Sequence, residues 1–174
     1  MRIITRGCGT LRLDIQQLLA NDGGTLCFEF SLPVGGVSPD VVEGTASVKG
    51  KVVNHGGYLL LSADTHITAS VLCGRCGEVF GEVIGFSTER PVARKLSDGD
   101  NDEYLVADED GFLDLDSFFE EELLLELPTK FLCSEACKGL CPKCGVNLNS
   151  GGCSCSHKEV DPRLAVLKAL LENG

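Results

Sequence analysis

The sequence has no long apolar run. Its longest apolar stretches, such as residues 58–61, end within a few residues. They are too short for the apolar core of a signal peptide or for a membrane-spanning helix. We therefore expect a soluble protein of the cytoplasm or of an organelle matrix. Thiols stay reduced in such compartments, where disulfides are rare.

Positive charge is also scarce. The chain has 15 lysine and arginine residues against 26 acidic ones, which gives a net charge of −11 and a pI near 4.6. An acidic run at residues 97–111 contributes to this balance. Such a chain as a whole repels the phosphates of nucleic acids. We expect that any contact with RNA is indirect and that the protein's partner is basic.

Motifs for catalysis are absent from the sequence. It contains no G-x-S-x-G, no glycine-rich phosphate loop, no H-E-x-x-H and no recognisable pair of inward-facing carboxylates. We predict that the protein is not an enzyme and has no catalytic residues.

Cysteine, in contrast, is abundant. The chain has 10 cysteines, and six of them lie within residues 133–155. Because no secretory leader accompanies them, they favour metal binding over disulfides. Two similar turns stand out, CGRCG at residues 73–77 and CPKCG at residues 141–145. In such a turn two thiolates reach one metal ion, and the final glycine supplies the unusual backbone angle.

Eight cysteines combine by spacing into two sets of four. One set is local, with the pattern C-x2-C-x8-C-x-C, and the other joins the first turn to two cysteines far along the chain. The predicted metal ligands are Cys73, Cys76, Cys133 and Cys137 in the long-range set, and Cys141, Cys144, Cys153 and Cys155 in the local set. Four thiolates leave no open coordination position, so we predict two structural zinc ions. A rival grouping places Cys133 and Cys137 with residues 141 and 144, and spacing alone does not decide between the two.

Iron–sulfur chemistry fits the sequence less well. Cys137, Cys141 and Cys144 have the spacing found in radical S-adenosylmethionine enzymes, but those enzymes build a large barrel after the motif. Only 30 residues follow Cys144 here, and the ferredoxin cysteine run is missing. Of the remaining candidates, Cys8 and Cys27 are predicted to be ordinary core residues. His157 is predicted to be a bystander.

The hydrophobic pattern predicts strands first and helices later. From residue 45 onwards apolar residues alternate with polar ones, a turn follows at residues 54–57, and a second alternating run covers residues 61–71. A third run spans residues 78–88. The connections between these runs are too short for crossover helices, so the sheet should be antiparallel.

Helices are predicted at three places. Residues 14–19 suggest one or two turns. Ser117 and Glu120 have capping-box spacing, and an apolar stripe that stops before Pro128 follows the i, i+4 pattern: Leu115, Phe119, Leu123 and Leu127. A last helix begins at Asp161 with proline at its first position. We predict an α+β fold with an antiparallel, barrel-like sheet and a packing helix in residues 1–128. Residues 129–174 form a zinc-stapled segment that ends in a helix packed on the sheet.

Several of these segments resemble one known family. LCGRC at residues 72–76, after a long strand, resembles the C-x-R-C motif of the YceD family, the large ribosomal RNA subunit accumulation proteins. ELLLELP at residues 122–128 is similar to the end of that family's helix. CKGLCPKCGVNLN at residues 137–149 is similar to its longer, zinc-bearing form, and DPRLAVL at residues 161–167 to its C-terminal helix.

The resemblance implies a role in the accumulation of large-subunit (23S) ribosomal RNA, and so in ribosome biogenesis. It brings no catalytic activity. Bacterial members are often encoded beside a small basic large-subunit ribosomal protein, which suggests a ribosomal protein or a pre-ribosomal particle as partner. Some members lack the C-terminal thiols, so the resemblance implies a structural role for these. Two alternatives stay open from the residues: a nucleic-acid-binding zinc module, and a thiol redox sensor or small zinc enzyme.

Overall fold

A computed structural model describes residues 3–5, 11–94 and 104–155. The elements in chain order are β1 (Ile3–Thr5), β2 (Arg12–Asp14), α1 (Gln16–Leu19), β3 (Thr25–Pro33), β4 (Val41–His55), β5 (Tyr58–Leu72), β6 (Val79–Ala93), β7 (Leu105–Val106), β8 (Phe112–Asp114) and α2 (Leu115–Glu126). The predicted C-terminal helix, Cys8 and His157 lie outside the described residues. The division at residue 128 stays a prediction.

The three long strands β4, β5 and β6 form the centre of the fold. Each has 15 residues, and β5 pairs antiparallel with both of its neighbours. The predicted hairpin is confirmed, and its turn consists of Gly56 and Gly57 with φ of 66° and 95°. Two residues of positive φ suit the tight turn that matches the twist of the flanking strands. β6 extends to Ala93, five residues beyond the predicted run.

Alternation along the strands decides which face is buried. In β5 every second residue from Leu59 to Val71 is buried, and the residues between them are exposed or half-buried. In β3 the buried residues are Phe28, Phe30 and Leu32. The odd positions of β3 therefore point away from the core. The prediction that Cys27 is a core residue is wrong for this reason, because its side chain is only half-buried.

The sheet is open, so the predicted barrel-like closure is wrong. Its strand order is β1-β3-β4-β5-β6-β7, and no pairing in the described residues joins β1 to β7. The two outer pairs, β1 with β3 and β6 with β7, are parallel, whereas only antiparallel pairing had been predicted. A second, small sheet contains β2 and β8. The mixture of strands and helices agrees broadly with the predicted α+β class.

The helix α2 packs its apolar stripe into the core. Leu115, Phe119 and Leu123 are fully buried, and the ring of Phe119 lies edge-on to Phe30 with 5.6 Å between centroids. The helix does not start at the predicted capping box. Asp114 is its N-cap, since the Asp114 carboxylate accepts a hydrogen bond from the backbone N–H of residue 117 at 3.1 Å.

A buried acid connects α2 to β6. The carboxylate of Glu122 is almost fully buried, accepts a hydrogen bond from the Thr88 hydroxyl at 3.0 Å and pairs with the Arg90 guanidinium at 2.9 Å. Both carboxylate oxygens thus have partners, as a buried charge requires. This contact fixes the helix against the strand whose N-terminal end leads back to the first cysteine turn.

Candidate metal centres

The structure brings eight cysteines together in two groups of four. Within each group all sulfur atoms lie within 4.8 Å of one another. Tetrad 1 contains Cys73, Cys76, Cys133 and Cys137, and tetrad 2 contains Cys141, Cys144, Cys153 and Cys155. This is the predicted grouping into a long-range set and a local set. The rival grouping of Cys133 and Cys137 with Cys141 and Cys144 is not formed. That these thiols ligate a metal ion stays a prediction.

The first turn follows directly from the end of β5. The backbone N–H of Cys73 donates to the carbonyl of Glu78 at 2.9 Å, and the N–H of Gly77 donates back to the carbonyl of residue 73 at 2.8 Å. Gly77 has φ of 70°, an angle that other residues adopt only under strain. The turn therefore presents both of its thiols on one side, between two antiparallel strands.

The second turn repeats the first bond for bond. The N–H of Cys141 donates to the carbonyl of Val146 at 2.9 Å, and the N–H of Gly145 donates to the carbonyl of residue 141 at 2.8 Å. Gly145 has φ of 72°. Two segments 68 positions apart in the chain thus have the same local geometry. This repeat confirms that the C-x-x-C-G pattern predicts the turn.

Contacts made by Phe131 and by Arg75 hold the distant cysteines of tetrad 1 on the sheet. Phe131 is buried and forms a parallel bridge with Cys73, and its carbonyl accepts from the N–H of Gly74 at 2.8 Å. The Arg75 guanidinium donates to the carbonyls of Glu135 and Cys137 at 2.9 and 3.0 Å. The arginine of the C-x-R-C motif therefore clamps the incoming segment. Sequence reasoning missed this role, although the residue stands inside the motif.

Asn149 links the two tetrads. Its side-chain oxygen accepts from the backbone N–H of Lys138 at 2.8 Å, and its amide nitrogen donates to the Cys137 sulfur at 3.2 Å. Sequence reasoning assigned it no role. The sequence feature that could have indicated this role is the position of Asn149 in the loop between the two cysteine pairs of tetrad 2. A bridge between Leu140 and Asn147 directs this loop back towards tetrad 1.

Hydrogen bonds to sulfur stabilise negative charge in tetrad 1. The backbone N–H of Cys133 donates to the Cys73 sulfur at 3.5 Å and is the main reason that the pKa of Cys73 falls to about 6. The Asn149 amide lowers the pKa of Cys137 in the same way. The pKa of Cys133 rises to about 12, because this thiol is hydrogen-bonded to Cys137. The hydrogen bonds within the group thus favour the thiolate form of Cys73 and disfavour that of Cys133.

Tetrad 2 has the same electrostatic pattern. The backbone N–H of Cys144 is the main cause that lowers the pKa of Cys141 to about 6. The hydrogen bond with Cys144 raises the pKa of Cys155 to about 12. A divalent cation would bring all four thiols to the thiolate form with release of protons.

The sulfur spacing fits a single tetrahedral ion. Metal–sulfur bonds of about 2.3 Å in a tetrahedron separate the sulfurs by about 3.8 Å. In tetrad 1 the Cys73–Cys137 and Cys76–Cys133 sulfur distances are 3.8 and 3.7 Å. In tetrad 2 the Cys141–Cys153 distance is 3.4 Å. A tetrahedral set of four sulfurs is typical of zinc or iron, and either group of thiols can hold one such ion.

The fold and these tetrads define a class of protein: a mixed β-sheet protein with two candidate tetrathiolate metal centres. Among its described helices, none has the length and apolarity needed to cross a membrane. The sequence profile described as "Large ribosomal RNA subunit accumulation protein YceD" matches residues 61–171, more than half of the chain. The chain therefore belongs to the YceD family.

One of the individual relatives carries the name of this family. The chain is 29% identical to the "Large ribosomal RNA subunit accumulation protein YCED homolog 1, chloroplastic" of Arabidopsis thaliana, over 95% of the chain but only 59% of that relative's length. It is 31% identical to the "Uncharacterized protein YlbN" of Bacillus subtilis, over 78% of the chain and 76% of the relative. It is 40% identical to the "Uncharacterized protein Mb2951c" of Mycobacterium bovis, over 36% of the chain and 30% of the relative. No solved structure matches the chain significantly.

Proposed function

We propose that this protein is a non-enzymatic factor for the accumulation of large-subunit (23S) ribosomal RNA. The observation that carries the proposal is the family match over residues 61–171, which includes most of β5, all of β6 and α2, and all eight cysteines of the tetrads. The two tetrads act as structural zinc centres, since four thiolates leave no position open for substrate or water. Tetrad 1 attaches the segment after α2 to the end of the sheet, and tetrad 2 closes a loop within that segment.

The proposed partner is a basic large-subunit ribosomal protein or a pre-ribosomal particle. The net charge of −11 supports a basic partner, because complementary charge speeds encounter and suppresses wrong partners. Few cations surround the tetrads. Lys130, Lys138 and Lys143 are exposed there, and the Arg75 guanidinium is used by two backbone carbonyls. So few cations give little support to the basic face that a nucleic-acid-binding zinc module needs.

Depletion of the protein in the cells that encode it should lower the ratio of large-subunit to small-subunit ribosomal RNA. The expected fall is about two-fold or more. Quantitative hybridisation of total RNA measures the ratio. Re-expression of the native chain should restore the ratio, and re-expression of Cys27→Ser should do so equally well, since residue 27 belongs to neither tetrad. An unchanged ratio after complete depletion would overturn the proposed function.

The isolated protein should not bind naked ribosomal RNA tightly. Binding to RNA depends on release of counterions by clustered lysine and arginine, and here 26 acidic residues oppose 15 basic ones. Titration of labelled large-subunit RNA fragments at physiological salt should give dissociation constants above the micromolar range. Sub-micromolar, sequence-selective binding would instead support the nucleic-acid-binding alternative.

A further inference from the structure

The strand β6 has an open edge along most of its length. One side of β6 pairs with β5 from Val79 to Val92. On its other side, within the part of the chain that the structure describes, a strand partner is present only at Val92 and Ala93, where β7 pairs. Within the described residues, the edge over residues 79–91 is therefore unpaired, and such an edge is a template for another extended segment.

Two observations show which backbone groups point outwards. Pro91 has no N–H, so within a sheet its nitrogen belongs on the unpaired side. The carbonyl of Ala93 accepts from the N–H of Ala107 at 2.9 Å, outside the pairing with β5. The register between β5 and β6 is continuous, and outward groups repeat at every second residue. The odd-numbered residues from Val79 to Glu89 therefore offer their N–H and carbonyl groups to the open edge.

The side chains along this edge leave it accessible. Val79 and Val83 are 56% and 71% exposed, and a Cβ placed on Gly81 would meet nothing within 4 Å. On the core side, Phe80 and Ile84 are only half-buried. An added strand could cover these apolar side chains. Glycine within a strand often marks a place where another backbone approaches closely.

A cavity lies where the open edge meets β7. It has a volume of about 300 Å³ and is lined by Tyr104, Phe118, Glu121 and Leu125 among others. Tyr104 immediately precedes the β7 residue that pairs with Val92. The cavity thus borders the position that the last residue of an added strand would occupy, and its size suits one large apolar side chain.

The charges along the edge are acidic. Glu78, Glu82 and Glu89 lie on β6 or next to it, and Glu121 lines the cavity. The one cation of this strand, Arg90, is paired with Glu122. A second copy of the chain would place like charges against each other in such a pairing, which is unfavourable. A strand that carries lysine or arginine between apolar residues has the complementary charge.

We propose that the open edge of β6 binds an extended segment of another protein by strand addition, and that this segment alternates apolar residues with lysine or arginine. Its backbone bonds to the outward groups of the odd-numbered residues. Its apolar side chains lie on the core side of the sheet and cover Phe80 and Ile84, and its cations lie on the opposite side, where Glu89 is exposed. That the partner is a ribosomal protein rests on the proposed function. The open edge and the type of segment that fits it are argued from the structure alone.

The probe is a labelled nine-residue peptide of alternating valine and lysine, measured by fluorescence anisotropy with the full chain at physiological salt. The same peptide with every backbone nitrogen methylated keeps the charges and side chains but has no N–H to donate to the edge, whichever way it runs. It should bind at least about ten-fold more weakly, since loss of a few net hydrogen bonds has this effect. A valine–glutamate peptide should also bind at least about ten-fold more weakly.

Two variants of one residue test the edge itself. Val83→Pro removes an outward N–H without loss of a bond to β5, and should weaken binding of the valine–lysine peptide at least about ten-fold. Val83→Thr keeps the N–H and should bind as the native chain does. Glu89→Lys should weaken binding of the valine–lysine peptide and strengthen binding of the valine–glutamate peptide, because residue 89 lies on the face that the peptide's charged side chains share. Melting temperatures of the variants establish that they are folded.

The outcomes are distinct. Equal binding of the methylated and unmethylated valine–lysine peptides would show that charge alone carries the interaction and would overturn the proposal. So would absence of binding, or binding that Val83→Pro leaves unchanged. Self-association of the native chain that Val83→Pro abolishes would show that a second copy occupies the edge. The ribosomal RNA ratio after depletion is measured independently of these binding experiments. Failure of this proposal is therefore distinguishable from failure of the proposed function.

Discussion

Protein purified without chelator is expected to contain two zinc ions per chain and no iron chromophore. Each tetrad has four sulfurs within 4.8 Å of one another, which surrounds one ion, whereas a cluster of several irons separates its cysteines further. Zinc and mononuclear iron share this geometry, and an iron site would colour the protein. Elemental analysis together with the visible spectrum measures both quantities.

Removal of the zinc should unfold the segment after α2 while the sheet stays folded. A structural zinc ion contributes on the order of 10 kcal/mol of apparent folding free energy, and residues 129–155 have few other buried apolar side chains than Phe131. The sheet keeps its own core of strand and helix residues. Chelator should therefore abolish the amide dispersion of the cysteine-rich segment in NMR spectra and leave the signals of β4 and β5 in place.

Metal content has a matched control within the chain. Cys27→Ser changes a thiol that belongs to neither tetrad, and this variant should keep both zinc ions. Zinc should also be lost on acidification, since protons compete for the thiolates that the metal requires. A content of one zinc or none in the native chain would contradict the two-site assignment, and one zinc lost on Cys27→Ser would contradict the grouping.

Local patterns predicted the local parts of this fold. The hairpin of β4 and β5 followed from alternation and a glycine turn, and the two cysteine turns followed from their five-residue motifs. The open sheet did not follow from such patterns, because alternation shows which face of a strand is buried but does not show which strand edges pair. The start of α2 also depends on contacts with a residue that is distant in the sequence. Leu11 accepts from the N–H of Leu115 at 3.1 Å and donates to the Asp116 carboxylate at 3.0 Å.

The sequence predicted which cysteines belong to the candidate site, but it predicted only partly how they group. Spacing allowed two groupings of the cysteines, and a distant contact selects one: the bridge of Phe131 with Cys73, which carries residues 133 and 137 to the first turn. The clamp by Arg75 and the amide of Asn149 are side-chain bonds to partners 60 or 12 positions away. No periodicity encodes such bonds, so they appear only when the chain is folded.

Substitution of one thiol in each tetrad should have different consequences for the C-terminal part of the chain. Cys73→Ser removes a ligand of tetrad 1, which holds residues 133 and 137 on the sheet. Trypsin should then cleave rapidly after Lys130 and Lys138, both exposed. The rate should rise by at least ten-fold, since even a small part of a zinc ion's stabilisation corresponds to such a factor.

Cys153→Ser removes a ligand of tetrad 2 alone. Cleavage should accelerate after Lys143, between the two cysteines of the second turn, while the bond after Lys130 stays protected. The difference arises because tetrad 1 joins the segment to the sheet through the end of β5, whereas tetrad 2 closes a loop within the segment itself. Mass spectrometry of the tryptic time course identifies each site. If Cys153→Ser released the whole segment and Cys73→Ser left it protected, the two tetrads would have the opposite roles.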